Sequence, residues 1–205
     1  RAAIASYKSA IEIEPKHALT HYQIGVALQD LGDLERAIDC YKQALKIKPD
    51  DVAAYNNMGV ALKNMGECDA AIDSYKQAIK IKPAFADAYY NMGNCLKDKG
   101  ELNAAIDSYK QALKIKPDYA EAHYNLSFPY LLQGNVKEGF NLYEWRWKKS
   151  NLDPAPLTTD RPAWQPQTAG RVLLWSEQGV GDMIMFASII PELYECSEQV
   201  IVQTD

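Results

Sequence analysis

The chain has 205 residues, which suffices for one large domain or two small ones. It is 47% hydrophobic and 24% charged, as folded globular proteins usually are, and this composition excludes a disordered chain. The net charge of −5 argues against nucleic-acid binding, and no apolar run approaches the roughly 18 residues that a membrane-spanning helix needs. Arg1 opens the chain without a methionine or a signal-peptide pattern, so we expect the natural N-terminus to lie upstream.

Cysteine and histidine usage indicates neither disulfides nor a metal. The cysteines include no C-x-x-C pair, so we expect free thiols in a reducing compartment and a cytoplasmic protein. His17 and His21 are four residues apart around a predicted helix start, but no third ligand lies nearby, and the sequence predicts no metal site. The cysteines are Cys40, Cys68, Cys95 and Cys196.

A proline recurs every 34 residues, at Pro15, Pro49, Pro83 and Pro117, and the sequence before it recurs as well. These residues resemble the tetratricopeptide repeat (TPR), a pair of antiparallel helices of about 34 residues. The recurring segments are YKSAIEIEP (7–15), YKQALKIKP (41–49), YKQAIKIKP (75–83) and YKQALKIKP (109–117).

Small residues recur at three positions of each repeat, where two helix backbones must cross closely. We expect a tyrosine of the second helix to fill the space beside them and the proline to end that helix. The resemblance implies a right-handed superhelix, an α-solenoid, made of a half repeat (1–17), full repeats (18–51, 52–85 and 86–119) and a degenerate repeat (120–147). The small residues are Gly25, Ala37, Ala44, Gly59, Ala71, Ala78, Gly93, Ala105 and Ala112, and the tyrosines are Tyr7, Tyr41, Tyr75, Tyr109 and Tyr143.

The unit that starts at Ala120 departs from this pattern. Ser127 stands in place of the glycine, Gly139 in place of an alanine, and Arg146 in place of another. Pro129 falls inside the first helix, where it removes a backbone hydrogen bond and should kink the helix. We therefore expect the array to end here, with YEWRW (143–147) as the surface on which the next segment docks.

An amide side chain stands two residues before the small residue of each first helix. First helices of stacked TPRs line a concave face, so these amides would form a ladder suited to the C=O and N–H groups of an extended peptide. With residues 84–126, the ladder resembles the TPR domain of O-GlcNAc transferases, in which an asparagine ladder holds the substrate polypeptide by its backbone. In the alternative interpretation, the amides cap or bridge neighbouring helices within the solenoid. The amides are Gln23, Asn57, Asn91 and Asn125, and the preceding tyrosines, which would add stacking surface or serve as packing, are Tyr22, Tyr90 and Tyr124.

The composition changes after the repeats. Residues 148–170 hold four prolines and no helical periodicity, which predicts a proline-rich linker. RVLLW (171–175) predicts a strand, SEQGVGD (176–182) a turn, MIMFASIIPELYECS (183–197) a helix and QVIVQ (199–203) a second strand. This order predicts the first β-α-β unit of a Rossmann-like α/β domain, which residues 171–205 leave incomplete.

One interpretation of the glycine loop is dinucleotide binding, as in an NAD-linked oxidoreductase. Gly179 and Gly181 match the start of the G-x-G-x-x-G/A motif, and Asp205 could serve as the ribose-binding acid. Ile184 stands at the third glycine position, however, and its bulk disfavours the close helix–strand packing that the motif requires.

A second interpretation rests on resemblance. RVLLWSEQGVGDMIMFASIIPEL (171–193) is similar to the first strand, loop and helix of GT-B glycosyltransferases of the ADP-heptose:LPS heptosyltransferase type. Combined with the repeats, it looks like bacterial TPR proteins whose C-terminal half is such a domain. The resemblance implies that Asp182 is the general base, while the alternative is an N-cap of the helix from Met183. The loop residues implied near the acceptor or a phosphate are Gln178, Gly179 and Gly181.

The sequence therefore predicts the peptide-binding TPR scaffold of a glycosyltransferase. Residues 171–205 supply one unit of the catalytic domain, so we expect the chain itself to be inactive and to hold no cofactor, whereas the intact enzyme would use a nucleotide sugar as donor. The alternative is a TPR interaction scaffold without transferase activity. The expected partner is a protein or extended peptide rather than nucleic acid or membrane, and the open helix at 1–15 and an unpaired strand edge favour self-association.

Overall fold

The computed structural model describes residues 17–148, 171–175 and 199–203. In the first of these ranges it shows eight α-helices followed by a short 3-10 helix. The helices are α1 (Ala18–Asp30), α2 (Leu34–Ile47), α3 (Val52–Asn64), α4 (Cys68–Ile81), α5 (Ala86–Asp98), α6 (Leu102–Ile115), α7 (Ala120–Leu132) and α8 (Val136–Tyr143), and the 3-10 helix is Glu144–Lys148.

The helix ends follow from local sequence signals. Each odd-numbered helix is followed by a glycine with positive φ, between 78° and 84°, a left-handed conformation that only glycine adopts without strain. Each second helix of a full repeat ends two residues before its proline, because the residue directly before a proline disfavours the helical conformation. Asp51 caps α3, because its carboxylate accepts hydrogen bonds from the backbone N–H groups of Ala53 and Ala54, both at 3.1 Å. The glycines are Gly32, Gly66, Gly100 and Gly134.

Within each full repeat, a tyrosine of the second helix packs against a glycine of the first, as the sequence predicts. A Cβ atom on Gly59 would lie 2.6 Å from Cε1 of Tyr75, closer than any real contact, and Gly25 and Gly93 are equally close to their own tyrosines. The three tyrosine side chains are fully buried. Glycine is therefore required because the phenol ring occupies the space that a larger side chain would need. The tyrosines are Tyr41, Tyr75 and Tyr109.

The helix pairs stack into an α-solenoid. Each second helix packs on the first helix of the next unit. Consecutive first helices (α1, α3, α5 and α7) also contact one another, whereas the described second helices (α2, α4, α6 and α8) show no comparable contact with each other. Because the first helices converge and the second helices diverge, the first helices line the inner, concave side of the array.

The degenerate unit keeps the helix pair and changes its packing. The first helix, α7, continues through Pro129 to Leu132. Gly139 replaces an alanine because the Leu131 side chain fills that place, 2.6 Å from where a Cβ atom would stand. Arg146 is buried, with its guanidinium 4.6 Å from the ring centre of Tyr143 and 4.4 Å from that of Trp147. An ion pair of 2.7 Å with Glu144 balances its charge.

The chain divides after Lys148 into two compact units. In the second unit, β1 (Arg171–Trp175) and β2 (Gln199–Gln203) pair in parallel, with Arg171 opposite Gln199 and Trp175 opposite Gln203. Both predicted strands are present with the expected boundaries. The half repeat up to residue 16, the linker from residue 149, the glycine loop and the helix at 183–197 lie outside the described residues.

Candidate peptide-binding groove

The structure places all seven predicted groove residues on first helices. Each of their side chains is half-buried. The groove residues are Tyr22 and Gln23 on α1, Asn57 on α3, Tyr90 and Asn91 on α5, and Tyr124 and Asn125 on α7.

The asparagine NH2 groups bridge neighbouring first helices. Nδ2 of Asn57 donates to the hydroxyl of Tyr22 at 3.0 Å, and Nδ2 of Asn125 donates to that of Tyr90 at 3.1 Å. Nδ2 of Asn91 donates to Oδ1 of Asn56 at 3.1 Å. Each bond joins one repeat to the next, and this bridging is the alternative that the sequence left open for the amides.

The amide oxygens of these residues make fewer hydrogen bonds within the protein than the NH2 groups do. Oδ1 of Asn57 accepts from Nδ2 of Asn56 at 3.3 Å. Within the described residues, Oδ1 of Asn91 and Oδ1 of Asn125 accept no hydrogen bond from protein. Gln23 holds the equivalent place on α1, and the helix expected before it falls among residues 1–16, which are not described. A peptide-binding ladder remains a prediction. The side-chain groups that such a ladder could offer to a peptide are chiefly hydrogen-bond acceptors.

The groove tyrosines pack inward on the tyrosines of the second helices. The ring centres of Tyr22 and Tyr41 are 5.9 Å apart, and those of Tyr90 and Tyr109 are 6.2 Å apart. The ring centre of Tyr124 lies 5.3 Å from that of Tyr143 in the degenerate unit. The groove tyrosines therefore serve as packing, which is the second of the two roles that the sequence allowed.

A second layer of hydrogen bonds lies beneath the groove. The hydroxyl of Tyr41 donates to Oε1 of Gln29 at 3.0 Å, and that of Tyr109 donates to Oδ1 of Asn94 at 2.8 Å. Asn94 also accepts from Asn125 at 2.8 Å. Sequence reasoning missed Gln29 and Asn94, because the two residues occupy different positions of their repeats and neither position recurs as an amide.

Tyr75 differs from its two counterparts. Its hydroxyl is buried and has no hydrogen-bond partner among the described residues. The positions equivalent to Gln29 and Asn94 in this repeat hold Lys63 and Val60, and neither side chain can accept a hydrogen bond.

The buried tyrosines stay neutral at physiological pH. Burial raises the pKa of Tyr41, Tyr75 and Tyr109 well above the ordinary value of 10.0. Burial likewise raises the pKa of Tyr22 and Tyr90, and their hydrogen bonds from asparagine side chains oppose this shift only in part. Each hydroxyl therefore keeps its proton and remains uncharged.

The residues predicted for transferase chemistry cannot be placed. Asp182, Gln178, Gly179 and Gly181 lie outside the described residues. Within the described part of the chain, no group of three or more histidine, cysteine, aspartate or glutamate side chains could hold a metal ion. No described helix is both long and apolar enough to cross a membrane.

Four segments of the chain match the family model for the TPR repeat: residues 1–32, 30–66, 65–97 and 93–134. The chain belongs to the TPR repeat family. No curated protein sequence matched it.

Solved structures of MamA share this fold. One crystal structure of MamA is 28% identical, with a TM-score of 0.66 over 69% of this chain and 83% of that one. A second is 26% identical, with a TM-score of 0.65 over 78% of this chain and 87% of that one. MamA from Desulfovibrio magneticus RS-1, from its residue 41 onward, is 23% identical with a TM-score of 0.65, covers 72% and 86% of the two chains, and is similar in fold alone. The glycosyltransferase resemblance finds no support in these comparisons.

Proposed function

We propose that this protein is a TPR interaction scaffold whose concave face binds an extended segment of a partner polypeptide. The observation that carries the proposal is the row of half-buried asparagines, one on each of three successive first helices, at Asn57, Asn91 and Asn125. Membership of the TPR repeat family supports it, because solenoid arrays present extended concave binding surfaces. This is the alternative without transferase activity, which the comparisons favour over a glycosyltransferase.

The spacing of the row suits an extended chain. Packed helix axes are about 8–10 Å apart, and an extended peptide rises about 3.3 Å per residue. Each successive first helix therefore meets roughly every third residue of the peptide. Oδ1 of Asn91 and Oδ1 of Asn125 can then accept hydrogen bonds from peptide N–H groups, while the NH2 groups keep the helices in place.

Backbone hydrogen bonds alone give modest affinity. Each contributes about 0.5–1.5 kcal/mol net, so a few such bonds orient the peptide and side-chain contacts must supply the remainder. We expect a partner segment without regular structure of its own that becomes extended on binding.

The test uses peptides of random sequence, selected by display for binding to the intact chain and measured by fluorescence anisotropy. Backbone N-methylation removes one N–H donor at a time and leaves the protein unaltered. This avoids asparagine-to-alanine variants, which would also break the bridges between helices. We expect N-methylation at roughly every third position to weaken binding by about two- to tenfold, with little effect between those positions.

A matched pair of protein variants localises the peptide. Gln77→Ala removes an exposed amide from the second helix α4 and should leave binding unchanged, whereas Gln23→Ala removes a groove amide that bridges no helices among the described residues and should weaken binding. An N-methyl scan without periodicity, or equal binding by both variants, would refute the groove.

A glycosyltransferase remains the second candidate, because the parallel pairing of β1 with β2 is the arrangement that a β-α-β unit produces. In that case a nucleotide sugar is the donor, and Asp182 takes the proton of the acceptor hydroxyl. Asp182→Asn in the intact protein should then abolish transfer and keep donor affinity, and undiminished turnover would exclude Asp182 as the general base.

Cytoplasmic localisation and self-association also remain proposals.

A further inference from the structure

The last helical unit exposes three apolar side chains. Phe140 is 40% exposed and Val136 is 55% exposed, and the two lie four residues apart on one side of α8. Leu132, at the end of α7, is 71% exposed where the other first helices carry aspartate or asparagine. Terminal units of a solenoid usually present a polar outer face, so exposed apolar side chains here indicate an interaction surface. We call Leu132, Val136 and Phe140 the end face.

The internal junctions of the array show what covers the equivalent surface elsewhere. In each full repeat, the residue equivalent to Phe140 is an isoleucine that is only 6–7% exposed, because the first helix of the next unit packs over it. This packing occurs three times, between α2 and α3, between α4 and α5, and between α6 and α7. Within residues 17–148, no first helix follows α8. Continuity with the internal junctions therefore identifies a helix of the first-helix type as the occupant of the end face.

The three covering helices share a pattern of side chains. Each carries a fully buried alanine, a methionine or leucine four residues later, and a compact residue three residues after that. At the middle junction, Met92 of α5 lines one cleft with Ile72 of α4, so this side of the helix meets the preceding second helix. An amphipathic helix with the same spacing would fit the end face. The three sets are Ala54, Met58 and Ala61 on α3, Ala88, Met92 and Cys95 on α5, and Ala122, Leu126 and Pro129 on α7.

Charge distinguishes the end face from the internal junctions. At the middle junction, Nζ of Lys99, which follows α5, donates to Oδ1 of Asp69 at 2.6 Å. At the next junction, Nε2 of Gln133 donates to Oδ1 of Asn103 at 2.8 Å. Lys137 stands at the position of Asp69 and Asn103, is exposed, and can only donate. The occupant must therefore supply an acceptor at this point, and an acidic side chain also complements the charge of the lysine.

We propose that the end face docks an amphipathic helix of a partner protein, which takes the place of the next first helix. The apolar side of this helix has the spacing of α3, α5 and α7. An aspartate or glutamate four residues after its second compact residue pairs with Lys137. The end face is distinct from the row of asparagines on the concave side, so the scaffold has a second interaction surface that does not depend on the groove.

The test uses a peptide of residues 86–100, which contains α5, as a stand-in for the partner helix. A side-chain staple from position 93, which faces α6 in the array, keeps the peptide helical. One version retains Lys99 and the other carries Lys99→Glu, and fluorescence anisotropy measures the binding of each to the intact chain. We expect the Lys99→Glu peptide to bind about threefold more tightly, because its carboxylate pairs with Lys137. In a Lys137→Glu chain the preference should reverse, and this variant should fold because Lys137 is exposed.

A matched pair of chain variants localises the helix. Phe140→Glu places a charge inside the contact and should weaken the binding of both peptides by about tenfold or more. Leu31→Glu is the control, because Leu31 is an exposed apolar residue after α1, and its replacement should leave binding unchanged. Phe140→Glu should also bind displayed groove peptides with the same N-methyl periodicity, so failure of the end face is distinguishable from failure of the groove.

Several outcomes would overturn the proposal. They are equal affinity of the parent chain for the two peptides, a preference that Lys137→Glu does not reverse, and full binding by Phe140→Glu. A parent chain that binds neither peptide would overturn it as well. If that chain is a dimer that Phe140→Glu dissociates, a second copy covers the end face instead of a partner helix.

Discussion

The same tyrosine-to-phenylalanine substitution should have opposite effects in adjacent repeats. Tyr109→Phe removes a hydroxyl that donates to Asn94 at 2.8 Å. Asn94 keeps its hydrogen bond from Asn125, so no acceptor is orphaned, and we expect a loss of about 1 kcal/mol. Tyr75→Phe removes a buried hydroxyl without a partner, and we expect a gain of about 1 kcal/mol, because an unsatisfied buried donor costs about 1–3 kcal/mol.

The difference between the two variants is therefore about 2 kcal/mol, or roughly 4–8 °C in Tm for a chain of this size. Urea unfolding followed by circular dichroism measures both variants against the parent chain, and equal m-values ensure that the midpoints are comparable. If Tyr75→Phe destabilises the protein as much as Tyr109→Phe, the Tyr75 hydroxyl has a partner, and the argument from its missing acceptor fails.

Three other predictions follow from the buried residues. Gly59→Ala should destabilise the array by about 1 kcal/mol in urea unfolding, because a clash with Tyr75 of about 1–3 kcal/mol outweighs about 1 kcal/mol of helix propensity; unchanged stability would contradict this. Burial raises the pKa of Tyr75 above its ordinary 10.0, so its contribution to stability is complete below pH 10.0 and is lost as the pH rises. The tyrosinate absorbance of the parent chain minus that of Tyr75→Phe isolates this residue, and a difference that appears before the helical signal falls would refute the prediction. Burial raises the pKa of the Cys95 thiol to about 12, so a thiol reagent at neutral pH should label half-buried Cys68 before Cys95, as peptide mass spectrometry can measure.

The repeat architecture could be predicted from sequence because it is encoded redundantly. The 34-residue period places glycine, alanine and tyrosine at fixed offsets, so one mistaken position does not change the assignment. The structure confirms the close approach of Gly59 and Tyr75. This contact could be predicted because a glycine and an aromatic ring at the right spacing determine one packing arrangement. The glycine after each first helix recurs just as regularly, but it does not belong to the pattern from which the repeats are predicted.

The polar contacts of the groove were harder to predict, because they depend on rotamers rather than on periodicity. Asn57, Asn91 and Asn125 share one position, yet Asn91 bonds to an asparagine where the other two bond to tyrosines. The sequence showed that an amide recurs and left open whether it serves a peptide or a neighbouring helix. Residue 56 decides between those contacts, because asparagine stands there in place of tyrosine and supplies the acceptor for Asn91.

The end of the array follows from the same stacking rule. In the full repeats, an isoleucine of each second helix is only 6–7% exposed because the next first helix covers it. Phe140 stands at the equivalent position of the degenerate unit and is 40% exposed, and Val136 is 55% exposed, since no further first helix follows among the described residues. Stability in a solenoid is a sum over neighbouring units, so a unit covered on one side contributes least. The repeat pattern also changes in that unit, where Ser127 stands in place of the glycine and Gly139 in place of the alanine, and Gly139 makes room for the Leu131 side chain. The isoleucines are Ile38, Ile72 and Ile106.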